Sequence, residues 1–64
     1  MNSYHVRIWD KYKPEVVAEG SVDAQNPKRA AELLEGESVK QFRIPFEGEP
    51  CIYIGKQYVY EVSE

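Results

Sequence analysis

One short helix pattern constrains this chain more than any other feature. In Val22-Asp23-Ala24-Gln25-Asn26-Pro27-Lys28-Arg29-Ala30-Ala31-Glu32-Leu33-Leu34 an alternating strand pattern gives way to a helix start. Asn26 is a good N-cap, because its side-chain oxygen can accept from a backbone N–H of the first turn. Pro27 suits the first helical position, where the N–H it lacks would have had no intrahelical partner. Ala30, Leu33 and Leu34 make an apolar stripe with Ala31 beside it, and Gly36 is the expected stop. A helix of about nine residues is not stable alone in water, so this one must dock on a sheet. The remainder of the chain reads as strands. The expected fold class is α+β, an antiparallel four- to five-stranded sheet with a single helix packed on one face, in the order β-β-α-β-β-β.

The strand patterns set the expected faces. From Tyr4 to Trp9, Tyr4, Val6 and Ile8 share one side and His5, Arg7 and Trp9 the other. Asp10 to Pro14 is a polar turn. The alternation resumes from Val16 to Ala24, where Val16, Ala18, Gly20, Val22 and Ala24 are small enough to let a helix approach closely, and these strands form an N-terminal hairpin. A third pattern runs from Val39 to Phe46, ended or held at an edge by Pro45, which cannot donate to a ladder. Glu47-Gly48-Glu49-Pro50 is a turn. Cys51 to Ile54 and Gln57 to Val62 then pair around Gly55-Lys56. A two-residue loop there sets Ile54 opposite Gln57, Tyr53 opposite Tyr58, Ile52 opposite Val59 and Cys51 opposite Tyr60.

Length and charge limit the function classes. With 64 residues the chain is one domain, 1–64. Such a chain buries only about 60% of the surface it exposes when unfolded, which leaves no room for a deep substrate cavity and directs function to the surface. Eight Lys and Arg against eleven Asp and Glu give a formal charge of −3. That balance counts against a nucleic-acid binder, which usually carries a basic excess, and suits a basic protein partner or mimicry of a nucleic acid, neither of which a charge of −3 singles out. Cys51 is the only cysteine, so neither an intramolecular disulfide nor a cysteine-based zinc site is expected. Small secreted domains usually carry disulfide staples, so a cytoplasmic location is the expectation. Neither a signal-peptide core nor a membrane-spanning run is read from the sequence.

Eight residues are candidates for partner binding. In the hairpin register above, Ile52, Ile54 and Val59 share the side better suited to Leu33 and Leu34. Tyr53, Tyr58 and Tyr60 are then left towards solvent as rigid amphipathic anchors, or as cross-strand pairs that stiffen the sheet. Trp9 joins them if its face is the uncovered one and is core otherwise. Lys28 and Arg29 stand in the first helical turn, where the dipole disfavours cations, and suit an anionic contact or simple solvation. Glu47 and Glu49 flank Gly48 at a turn tip and suit a basic groove on a partner. No catalytic, cofactor or metal site is expected. His5 is the sole histidine, and no G-x-S-x-G, P-loop, His pair or aspartate-rich calcium loop is present.

The order of elements, with Val22-x-Ala24 followed after five residues by Ala30, resembles the small anti-CRISPR proteins of phages and mobile elements. The resemblance covers the whole chain in organisation and carries over no site residue. It implies a non-enzymatic inhibitor that binds a larger host complex, a CRISPR effector, in the host cytoplasm and blocks target DNA binding or nuclease action. The alternative is a small nucleic-acid-binding regulator that stacks bases on an aromatic sheet face, with phosphate contacts from Arg7, Lys40, Arg43 and Lys56. A small enzyme or toxin built around His5 is the third reading. The edges of an open sheet admit a homodimer as well as a monomer.

Overall fold

The helix forms where its capping residues place it. In the computed structural model, which describes residues 1–64, helix α1 spans Pro27–Glu35. Asn26 Oδ1 accepts from the Arg29 N–H at 2.8 Å. Gly36 ends the helix at φ 87°, and its N–H donates to the Glu32 carbonyl at 2.8 Å. That left-handed conformation favours glycine. Five strands complete the chain: β1 (Asn2–Asp10), β2 (Val16–Ala24), β3 (Lys40–Gln41), β4 (Cys51–Ile54) and β5 (Tyr58–Ser63). They form one antiparallel sheet in the order β2-β1-β5-β4-β3. The first and last strands of the chain are therefore neighbours in the middle of the sheet, and α1 lies across one face.

The core is the face beneath α1. Tyr4 and Val6 of β1, Ala24 of β2, Ala30 and Ala31 of α1, Val39, Tyr53 of β4, and Tyr60 and Val62 of β5 are buried. This reverses the expected faces of the C-terminal hairpin: the tyrosines lie under the helix, and Ile52, Ile54 and Val59 lie on the uncovered side. The helix is responsible. It presents alanines, both fully buried, while Leu33 and Leu34 flank the contact at 51% and 43% exposure. A helix with so little side-chain volume comes close to the sheet, and long residues from the sheet must fill what space remains. Tyrosine does so while carrying its hydroxyl to the rim of the core. Tyr60 donates to Glu35 Oε1 at 2.5 Å, and the Tyr4 oxygen accepts from Asn2 Nδ2 at 3.2 Å.

The β4–β5 register also differs from expectation. Ile54 pairs with Val59, Tyr53 with Tyr60, Ile52 with Glu61 and Cys51 with Val62. The Gly55 N–H donates to the Tyr58 carbonyl at 2.9 Å, so Lys56 and Gln57 form the tip. The partners change by two residues, so every side chain keeps its face. Contacts from outside the hairpin select this tip. Lys11 donates its N–H to the Gln57 carbonyl at 3.0 Å and its Nζ to the Gly55 carbonyl at 3.1 Å, while Glu35 Oε2 accepts from the Lys56 N–H at 2.9 Å.

The third strand is shorter than its sequence pattern. Only Lys40 and Gln41 pair with β4, and the Phe42 N–H extends the pairing to the Ile52 carbonyl at 2.9 Å. β4 starts at Cys51 and offers no further partner, and Pro45 has no N–H to give. Residues 42–46 leave the sheet as an arm on which Phe42, Ile44 and Phe46 are 59%, 86% and 77% exposed.

Candidate functional site

The face opposite α1 has no second layer. The pairings align its side chains in rows across the sheet. One row runs Val16, Trp9, Val59, Ile54, Lys40 and the next Glu19, Arg7, Glu61, Ile52. Phe42 extends the second row through its bond to Ile52. Five apolar residues of three strands and the arm thus adjoin: Trp9, Val59, Ile54, Ile52 and Phe42. Trp9, Ile52, Val59 and Glu61 line a shallow depression of about 280 Å³. Side chains in such a position are held from below by the ladder and open to solvent above.

Charged groups border the apolar strip and hold one another. Trp9 Nε1 donates to Glu61 Oε1 at 3.1 Å, which fixes the indole on the sheet. Arg7 Nη1 stands 3.9 Å from the same carboxylate, and Arg7 Nε stands 3.5 Å from Glu19 Oε2. His5 Nε2 is 2.5 Å from that Glu19 oxygen. The His5 hydrogen bond, assisted by Arg7, holds the Glu19 carboxyl below its ordinary 4.5. His5, Glu19, Arg7, Glu61 and Trp9 make one continuous chain of polar contacts, which leaves Lys40 as the one unpaired charge in the two rows.

A larger open cleft of about 590 Å³ lies at one end of the sheet, where Pro27, Gly48, Glu49, Pro50, Cys51 and the C-terminal residues approach one another. Its charged groups other than Glu64 are already engaged. His5 and Arg7 are paired as above, and Glu49 accepts both Arg43 guanidinium nitrogens at 2.9 and 3.2 Å. No three His, Cys, Asp or Glu side chains gather to hold a metal ion. No helix is long and apolar enough to cross a membrane.

The eight sequence candidates are not brought together. Tyr53 and Tyr60 are 4% and 2% exposed beneath α1, so they cannot touch a partner without unfolding, and Tyr58 is half-buried on the same side. Burial, with Cys51 adding to it, pushes the Tyr53 hydroxyl up to about 12. Trp9 is half-buried on the uncovered face, beside aliphatic residues rather than tyrosines. Lys28 and Arg29 are exposed at the helix start, with Arg29 Nη1 3.8 Å from Glu32. Glu47 is exposed at its turn. Glu49 closes that turn, accepting the Phe46 N–H at 2.9 Å as well as Arg43, and this pairing holds its carboxyl below 4.5. Ile52, Ile54, Val59 and Phe42 were missed as surface residues. The signal for them was the alanine pair of the helix, which requires bulk on the opposing sheet face. No protein-family model, curated protein or solved structure matches this chain.

Proposed function

We propose that this chain is a non-enzymatic protein-binding inhibitor whose docking surface is the uncovered sheet face centred on Trp9. The carrying observation is the adjoining strip of half-buried Trp9, Ile52, Ile54 and Val59 with exposed Phe42, on the uncovered face of a sheet whose other face is closed by α1. Contiguous apolar surface rimmed by polar groups marks interaction sites, and tryptophan is the residue most enriched among binding hot spots. The pairing of His5, Glu19, Arg7 and Glu61 supports the reading too, because groups that satisfy one another cost less to cover than free charges. The same pairing weakens the nucleic-acid alternative: Arg7, the basic residue central to the face, stands between two carboxylates. The resemblance to anti-CRISPR proteins points to a CRISPR effector as the complex inhibited.

The test expresses the chain in cells whose CRISPR system targets an infecting phage. Wild type is expected to restore plaque formation, and Trp9→Asp is expected to abolish the effect while leaving the thermal melt cooperative. Absence of restoration across effector types refutes the CRISPR target. Restoration by Trp9→Asp equal to wild type refutes the proposed face.

A further inference from the structure

The outer edge of β2 is a second, separate surface. Strand edges with free backbone groups pair with other strands, and natural sheets protect them with prolines, lysines, bulges or shortness. The β3 edge is protected in this way: it is two residues long and runs into Pro45. The β2 edge is nine residues long, contains no proline or lysine, and its only irregularity lies near one end, opposite Ile8 and Trp9. Its residues from Val16 to Ser21 are all exposed.

Ladder geometry shows which groups are free. Alternate residues of an antiparallel strand direct their backbone groups to opposite sides. Lys11 donates to Gln57 across the β1–β5 seam, so the odd-numbered residues of β1 serve β5 and the even-numbered ones serve β2. Ala18, Gly20, Val22 and Ala24, opposite Ile8, Val6, Tyr4 and Asn2, are consumed by β1. The N–H and C=O groups of Val17, Glu19, Ser21 and Asp23 point outward.

We propose that this edge pairs with the same edge of a second copy, antiparallel about Gly20. Centred there, Glu19 faces the second copy's Ser21 and Val17 faces its Asp23, so no acidic residue opposes another. All four outward-pointing residues then find partners. Moving the centre to Glu19 sets that carboxylate against its own copy, and moving it to Ser21 sets Glu19 against Asp23 twice; both shifts also lose ladder bonds. Charge and bond count therefore select one register. On the helix side Ala18 meets the second copy's Val22, and a Cβ on Gly20 would have no atom within 4 Å, so the centre of the seam is open within each chain. The edge shares only the flanking Glu19 with the Trp9 face, and the inference stands or falls separately from the proposed function.

Sedimentation from micromolar to millimolar concentration tests it with two variants at an exposed position. Wild type is expected to rise from 7.4 kDa towards twice that mass. Ser21→Glu opposes Glu19 at two symmetry-related places and Ser21→Lys pairs with it at both. Cross-strand charge pairs of this kind change the dimer constant by about two- to thirtyfold for the two places together, weakening it in the first variant and tightening it in the second. Circular dichroism of both variants is expected to match wild type. A wild-type mass that stays at one chain throughout overturns the proposal. So do two variants that shift association in the same direction, as pairing centred on Ser21 would require, or that leave it unchanged.

Discussion

Gly55→Ala is expected to destabilise the domain by breaking a contact far from the methyl group it adds. A Cβ at Gly55 would stand 2.5 Å from both Cδ and Oε1 of Glu35, so the carboxylate must swing away. Moving the end of a flexible side chain costs little in itself. The cost is the bond that Glu35 Oε1 receives from Tyr60, whose residue is 2% exposed. A hydrogen bond to a charged group contributes about 1.5–3 kcal/mol. The Lys56 N–H, which also loses Glu35, is exposed and regains water. Gly55 has no positive φ, so alanine fits its backbone and recovers about 0.4–1 kcal/mol from the unfolded chain. The net loss is about 1–2 kcal/mol, or roughly 5–15 °C in Tm for a domain of this size. Thermal melts of Gly55→Ala, Tyr60→Phe and the double variant close the cycle. In the Tyr60→Phe background the alanine is expected to be neutral or stabilising. Equal destabilisation in both backgrounds would show that the methyl acts through the backbone and not through Glu35.

Four further outcomes follow from the same contacts. The Tyr60 hydroxyl, with the Lys56 N–H, holds Glu35 below its ordinary 4.5, so its contribution is full above about 4.5 and lost as pH falls through the lower folded value; Tm against pH should show a shallower acid limb in Tyr60→Phe. Tyr53, raised by burial from 10.0 to about 12, favours the neutral form in the fold, so stability should hold below pH 10.0 and decline above it, followed by tyrosinate absorbance and circular dichroism together. Ala31→Leu should cost about 1–3 kcal/mol by overpacking a fully buried site, while Leu33→Ala, half-exposed, should cost under about 1 kcal/mol, both read from urea midpoints. Asn26→Ala should cost about 1 kcal/mol in the same assay through loss of the bond to the Arg29 N–H.

Local signals predicted local structure well. Asn26, Pro27 and Gly36 place both ends of α1, and period-two alternation places β1 and β2 and the face-sharing of their residues except Val16, which the irregularity at Ile8 and Trp9 sets opposite Trp9 rather than on the face of Ala18. These features depend on side chains acting on backbone within a few residues. Which face the helix covers is a different question, because it is decided by volume across the gap. Hydrophobicity points to Leu33 and Leu34 as the contact, but Ala30 and Ala31 make it on size. The loop of the last hairpin was misplaced by one residue at each end because Lys11 and Glu35 hold its tip, and neither is near it in sequence. The end of the third strand depended on the length of β4. The site follows the faces: the sequence marks Trp9 as a surface candidate, while hydrophobicity alone points its neighbours Ile52 and Val59 towards the core.

The two surfaces constrain each other through symmetry. Antiparallel pairing of β2 with a second copy requires a two-fold axis perpendicular to the sheet, since opposed residues share a face. Both helices then lie on one side of a continuous ten-stranded sheet, and both Trp9 strips on the other. A target with two copies of a binding site on one surface would meet both strips at once, and the second contact would form at the effective concentration set by the first. A target with one site would gain nothing. Ser21→Glu therefore distinguishes the two cases, because it leaves Trp9, Ile52, Ile54, Val59 and Phe42 of each chain in place and weakens the pairing. Its inhibitory potency should fall towards that of a single strip against a repeated target and stay at the wild-type value against a single one.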